Sequence, residues 1–313
     1  MGSRSTRLSV PRITRRRKGG GDAYATQDRA VPEETPVAFS YNGTTHAVMM
    51  ASPADMEDFA VGFSLSEGII ARLDEIDAID MEDHAEGIDI QIRLAGDAGQ
   101  ELSDRRRRMA GPVGCGLCGI ESIEQALKPV ASVDATGLEL SPDEIAHAVT
   151  LLSQVQPLHK VTGAVHAAGF FTSEGGIVAA REDVGRHNAL DKLAGALCRQ
   201  GIDGRTGAIV ITSRVSIEMI QKAAVIGAPI LIAVSAPTAL AIRTAHAAGM
   251  TLVALVRGSE FDVFTRPERI PVVAEQTRKQ PADTTMDMAG KPNPDPAAST
   301  LVQRQTARLV QYG

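Results

Sequence analysis

The sequence predicts an α/β protein, with a C-terminal three-layer αβα domain around a mostly parallel sheet and a smaller N-terminal α+β domain. Three observations carry that expectation. From residue 141 onward, short apolar runs alternate with amphipathic helical segments, the pattern of strands buried on both faces. Between residues 36 and 96, a turn signal, a helix and an alternating strand follow one another on a smaller scale. Hydrophobic residues make up 43% of the 313, but aromatics only 3% and tryptophan none. The core must therefore be built from Ala, Val, Ile and Leu, which suits closely packed layers.

The smaller unit, placed at 32–135, opens with "PVAFSYNGTTHAVMM". Two β-prone runs flank Asn42-Gly43, the strongest short hairpin signal. "SPADMEDFAVGFSLSEGII" then offers Ser52 as a helix N-cap before Pro53, with Met56, Phe59, Ala60 and Phe63 at helical spacing and Gly68 as a stop. "GIDIQIRLAG" alternates like a half-buried strand, and the basic run Arg105–Arg108 leads into a cysteine-containing segment.

The larger unit, 136–275, starts with a second Ser-Pro helix, "SPDEIAHAVTLLSQV". "GAVHAAGFF" and "GIVAAR" are two strands around "TSEGG", and "HNALDKLAGALCRQG" is a helix ending at Gly201. "GAIVIT", "PILIAV" and "TLVALV" are strands separated by the helices "SIEMIQKAAVIG" and "TALAIRTAHAAG". Ligands of such sheets sit beyond the C-terminal strand ends. Those ends read Arg181-Glu182-Asp183, Thr212-Ser213-Arg214, Ser235-Ala236-Pro237-Thr238 and Arg257-Gly258. Cationic and helix-starting groups there suit an anionic or nucleotide ligand.

Residues 1–18 hold seven Lys or Arg and no acid, leaving 25 basic against 38 acidic residues in the rest. The acidic body argues against nucleic acid as a partner. The first 31 residues read as a disordered basic arm, since no apolar stretch follows the arginines to make a secretory signal. The Pro-rich segment 276–313 reads as a disordered tail. No run suits a membrane span, and three scattered cysteines fit a reducing cytoplasm better than a disulfide scaffold.

"GPVGCGLCGIESIEQAL" carries Cys115 and Cys118. A zinc site needs four ligands, whereas this chain has a single C-x-x-C, so no metal is expected. A redox pair is compatible with the Ser122/Gln125 capping box just beyond, whose helix dipole and the nearby arginines would lower a thiol pKa. The flanking glycines instead favour a mobile loop that hands a group between partners.

Seven stretches resemble the formate dehydrogenase accessory sulfurtransferase family, FdhD: "SPADMEDFAVGFSLSEGII", "GCGLCGIESIE", "TGAVHAAGFF", "REDVGRHNALDK", "TSRVSIEMIQKAA", "SAPTALAI" and "TLVALVRGSEFDVFT". The resemblance implies a C-terminal domain similar to cytidine deaminases but without deamination, because His166-Ala167-Ala168 lacks the glutamate of H-x-E. It implies a sulfur carrier, likened to a sulfurtransferase, that takes sulfane sulfur from a cysteine desulfurase as a persulfide on Cys115, assisted by Cys118. The acceptor would be the molybdenum bis(molybdopterin guanine dinucleotide) cofactor of formate dehydrogenase or a related molybdoenzyme. The cofactor stretch maps onto Leu255, Val256, Arg257, Gly258, Ser259 and Glu260, where Glu260 departs from the basic residue of some members. Arg181, Asp183, His187, Ser213 and Arg214 are expected to line the same guanine-nucleotide pocket, and a homodimer is implied. The alternative is a chaperone that binds the cofactor without transferring sulfur.

Overall fold

A computed structural model of the chain describes residues 4–18, 21–96, 98, 99, 102, 130–133 and 137–271. All lie within one compact unit, 1–274. Cys115 and Cys118, the Ser122/Gln125 capping box and the expected tail fall outside the described residues.

A four-stranded sheet, ordered β4-β3-β6-β5, is made by β3 (Thr35–Tyr41), β4 (Thr44–Ala51), β5 (Ile76–His84) and β6 (Gly87–Leu94). The Asn42-Gly43 hairpin forms as expected, both residues taking positive φ (50° and 78°). One face of the sheet buries Val37, Phe39, Ile90 and Ile92 against helix α1 (Met56–Ser66). Phe39 stacks on Phe63 at 4.2 Å and meets Phe59 edge-on at 4.9 Å.

The second sheet has six strands in the order β12-β11-β10-β9-β7-β8. They are β7 (His166–Thr172), β8 (Gly176–Asp183), β9 (Ala208–Ile211), β10 (Ile230–Ala233), β11 (Thr251–Arg257) and β12 (Glu260–Thr265). Helix α2 (Pro142–Gln154) covers one face, packing Ile145, Ala148 and Leu152 against Phe171, Val210 and Ile232. The helices α4 (Arg186–Gln200), α5 (Ile217–Ile226) and α6 (Ala239–Ala247) bury Leu190, Ile220 and Ala241 on the other. The short α3 (Pro157–Thr162) links α2 to β7.

Two expectations change. The sheet is mixed rather than mostly parallel: β9-β10 and β10-β11 are parallel, but β7-β8, β7-β9 and β11-β12 are antiparallel. Tight turns at both edges force this, because only a longer crossover returns a strand in parallel. The basic arm is also not structureless. Residues Arg7–Lys18 (β1) and Gly21–Pro32 (β2) pair antiparallel along their whole length. Alternating Leu8, Val10, Thr14 and Arg residues tolerate a ladder, and charge alone does not exclude one.

The units lock through α1 and α4. A Cβ on Gly62 would come 1.7 Å from Asp191 O, and one on Gly195 would come 1.8 Å from Asp58 O. Only glycine allows the two helix backbones to approach this closely.

Candidate functional site

Because β7 runs antiparallel to β9, and β8 to β7, one edge of the large sheet collects the ends of β8, β9, β10 and β11 and the start of β7. Across that rim lie Asp183, His166, Thr212–Val215, Ser235–Pro237 and Leu255–Glu260. Helices α4, α5 and α6 all begin there.

The stretch 255–260 forms the outer corner of the rim. The ladder slips between Ala254 and Arg257, and Leu255 takes a left-handed φ of 58°, unusual for a side chain of this size. That bulge turns Leu255 outward while Val256 is buried. The Leu255 amide donates to Ser235 O at 3.3 Å. Arg257 pairs with Glu260 across the Gly258-Ser259 turn, and its Nη1 donates to Val234 O and to Val256 O. The turn is thus bound to the end of β10, with Gly258, Ser259 and Glu260 exposed. β12 after it was missing from the sequence reading, which had placed these residues beyond the final strand.

The neighbouring loops are held in parallel. The Val215 amide donates to Ala236 O at 3.2 Å, and the Thr238 amide to Val215 O at 2.9 Å. Ser213 is buried and donates to Arg214 O, leaving the Arg214 side chain exposed. Next along the rim, His187 Nε2 lies 3.0 Å from Glu218 Oε2 but is poorly aligned for a hydrogen bond. Burial pulls His187 down to about 4; Glu218 opposes the shift, while Arg186, Lys222 and His166 add to it. His166 is lowered for the same first reason, assisted by Arg186. The imidazoles are therefore neutral at pH 7. Arg186 Nε is buried without a partner. Charges and polar groups here are only partly satisfied, which suits a place where an anionic group is received.

The expected five-residue lining divides. His187, Ser213 and Arg214 lie on the rim, but Asp183 and Arg181 serve the junction between the two sheets. Asp183 is fully buried and its oxygens accept four donors: Lys192 Nζ (2.6 Å), Ser52 N (2.9 Å), Gly185 N (2.7 Å) and Asn188 Nδ2 (2.9 Å). No capacity remains for a ligand. Arg181 turns to α1, where its Nε and Nη2 hold Asp58 at 2.7 and 2.6 Å. Sequence reasoning missed Glu218 and Arg186 and gave His166 no role, although each stands inside a quoted motif.

Elsewhere, a cleft of about 410 Å³ is bordered by Arg4, Asp55, Glu57, Asp58, Asp83 and Arg199. Its charges are already joined as Arg4–Asp83, Arg199–Asp58 and Arg199–Glu57.

The model of the FdhD/NarQ family matches residues 32–271. The chain is 58% identical over 246 residues to the sulfur carrier protein FdhD of Agrobacterium fabrum, covering 79% of this chain and 91% of that protein. With the protein of the same name from Brucella abortus it shares 57% over 247 residues, covering 79% and 92%. Its fold is similar to the crystal structure of a chain from Desulfotalea psychrophila described as a formate dehydrogenase accessory protein. That match has a TM-score of 0.64 and 28% identity, and covers 84% of this chain and 99% of that one.

Proposed function

The chain belongs to the FdhD/NarQ family, and from that membership we propose that it is a sulfur carrier in the maturation of formate dehydrogenase. The observation that carries the reading is 58% identity, across nearly the whole of a relative, to a protein named for sulfur carriage.

In this reading Cys115 is the acceptor. Its thiolate attacks the outer sulfur of a cysteine desulfurase persulfide, the desulfurase S–S bond breaks, and the desulfurase thiolate leaves. Cys118 then attacks the inner sulfur of the Cys115 persulfide, forming a disulfide and releasing hydrosulfide to the acceptor. A dithiol reductant restores the pair. Two cysteines at this spacing suffice, and no protein-bound metal enters the scheme. The cargo site is the rim, where Leu255–Glu260 would hold the guanine nucleotide end of molybdenum bis(molybdopterin guanine dinucleotide), with His187, Ser213 and Arg214 alongside. Support comes from the bulge that exposes the 258–260 turn and from the Arg186 Nε left without a partner on the same rim. The layered C-terminal half, with three helices on one face and one on the other, is consistent with a cytidine-deaminase-like arrangement. A cytoplasmic homodimer completes the proposal. Among the described residues no helix is long and apolar enough to cross a membrane.

The test is intact mass after incubation with a desulfurase and cysteine. A thiol-labile gain of about 32 Da, absent from Cys115→Ala, is expected. A chain that stays unmodified beside an active desulfurase overturns sulfur carriage and leaves a cofactor-binding chaperone. Arg257→Ala separately tests the rim by its loss of guanine-nucleotide binding.

A further inference from the structure

Most of the acidic side chains on or near the rim are already filled. Asp183 takes the four donors described above, and Glu182 accepts the Leu158 and His159 amides at 2.8 and 2.7 Å. Asp191 holds Lys222 Nζ with both oxygens, at 2.7 and 2.8 Å, and Glu260 lies exposed on its turn. Glu218 differs from all of these. It stands in the first turn of α5 with its side chain 35% exposed, and Ser216 Oγ donates to its Oε2 at 3.2 Å. Among the described residues nothing donates to its Oε1. A carboxylate offers about four acceptor positions, so this one is oriented yet mostly unused.

Glu218 is also tied to the 255–260 turn. The segment leading into α5 bonds to the next loop through Val215 N and Ala236 O, and that loop accepts the Leu255 amide at Ser235 O. Carboxylate and turn are thus held in one frame. Two strand spacings, about 10 Å, separate β9 from β11, a span that a nucleoside diphosphate bridges.

Resting on the reading that this rim receives the guanine nucleotide end of the cofactor, we propose that Glu218 is the residue that selects guanine. Its two oxygens accept from the neighbouring N1–H and 2-amino N–H of the base, while the diphosphate lies toward Arg257 and Gly258. Adenine presents an acceptor at N1, and hypoxanthine lacks the amino group, so neither satisfies the pair. Arg186 Nε, buried without a partner at the start of α4, is left to donate to O6. Burial keeps His187 neutral at pH 7, so no imidazolium competes for the carboxylate 3.0 Å away.

Isothermal titration calorimetry of the full chain and of Glu218→Gln with GDP, IDP and xanthosine diphosphate tests this. The wild type is expected to bind GDP roughly ten- to a hundredfold more tightly than IDP, the contribution of one charge-assisted hydrogen bond. Xanthosine diphosphate should bind weakest, because a carbonyl oxygen replaces the amino group and meets the carboxylate. Glu218→Gln should weaken GDP and strengthen xanthosine diphosphate, since its amide N–H donates to that oxygen while its amide oxygen still accepts from N1–H. A gain for one nucleotide cannot come from a misfolded chain. A wild type that binds GDP and IDP alike, or a Glu218→Gln protein that keeps the wild-type order, overturns the assignment and leaves the rim as a nucleotide site. Discrimination lost in Glu260→Gln but kept in Glu218→Gln overturns it equally. A wild type that binds no GDP overturns both this assignment and the rim reading beneath it.

Discussion

The stretch Arg181–Lys192 supplies two charged groups that differ in nearly every physical respect. Asp183 and Lys192 are sealed: both are fully buried, 2.6 Å apart, with the ammonium also bonded to Ser52 O and 5.3 Å from the centre of the Phe59 ring. Burial pulls Lys192 below its ordinary value against the opposing field of Asp183. Arg186 and His187, a few residues away, keep nitrogen atoms without a hydrogen-bond partner and lie half-buried on the rim. The difference separates two uses of charge. A saturated pair fixes where two sheets meet, whereas an unsatisfied one keeps capacity for something that arrives. A motif dense in charge can contain both, so each residue must be assigned by its partners.

The sealed group should be the most sensitive to change. Asp183→Ala leaves a buried ammonium with the Ser52 carbonyl as its hydrogen-bond partner and should cost about 3–5 kcal/mol, read from the urea midpoint. A loss below 1 kcal/mol would show that water reaches the pair and would erase the contrast. Gly62→Ala probes the same junction without charge. Its new methyl meets backbone on α4, which no rotamer relieves, so about 3 kcal/mol is expected in the same titration. An unchanged midpoint would mean the helices can slide apart freely.

The open group should answer to pH instead. In the unfolded chain His187 titrates near 6.5, but in the fold it does so at about 4. The unfolded state then binds the proton first, so stability falls as pH drops through that window and is constant above it. The shift corresponds to roughly 2 kcal/mol once partial exposure is discounted. His187→Gln should flatten the curve between pH 6.5 and 4 and leave stability at pH 7 little changed. If the slope survives the substitution, another group carries it.

Much of the layout was legible because local signals and tertiary demand agreed. The apolar runs became β9, β10 and β11, and Gly201, at φ 66°, ends α4 where expected. What sequence could not supply was partner choice. Asp183 and Arg181 look like strand-end ligand groups until Ser52 and Lys192 close on the one and Asp58 of α1 on the other. β5 escaped notice because its acidic, exposed edge hides the alternation, and β12 because a bulge at Leu255 interrupts the ladder. Arg186 and Glu218 stood in plain view, but a lone charge in a helix's first turn reads as capping.

The two Ser-Pro starts show the same limit at the scale of one side chain, and they give the smallest expected effect. Ser141 caps α2 as read: its Oγ accepts from the Glu144 amide at 3.3 Å, and Glu144 Oε2 accepts from the Ser141 amide at 2.8 Å. Ser52 caps nothing. α1 begins later, at Met56, after Asp55, which takes a left-handed φ of 56° and whose side chain makes no cap hydrogen bond but lies 3.6 Å from Arg181. The Ser52 oxygens and amide are taken by Lys192, Val184 and Asp183 across the junction. Ser141→Ala should therefore cost about 1 kcal/mol, confined to the start of α2 and visible as faster amide exchange there. Ser52→Ala leaves the half-buried Val184 amide unpaired and should cost about 1–2 kcal/mol, spread over both sheets. If Ser52→Ala frays only its own helix, the junction is not where its hydrogen bonds act, and the separation of sealed from open groups loses its sharpest support.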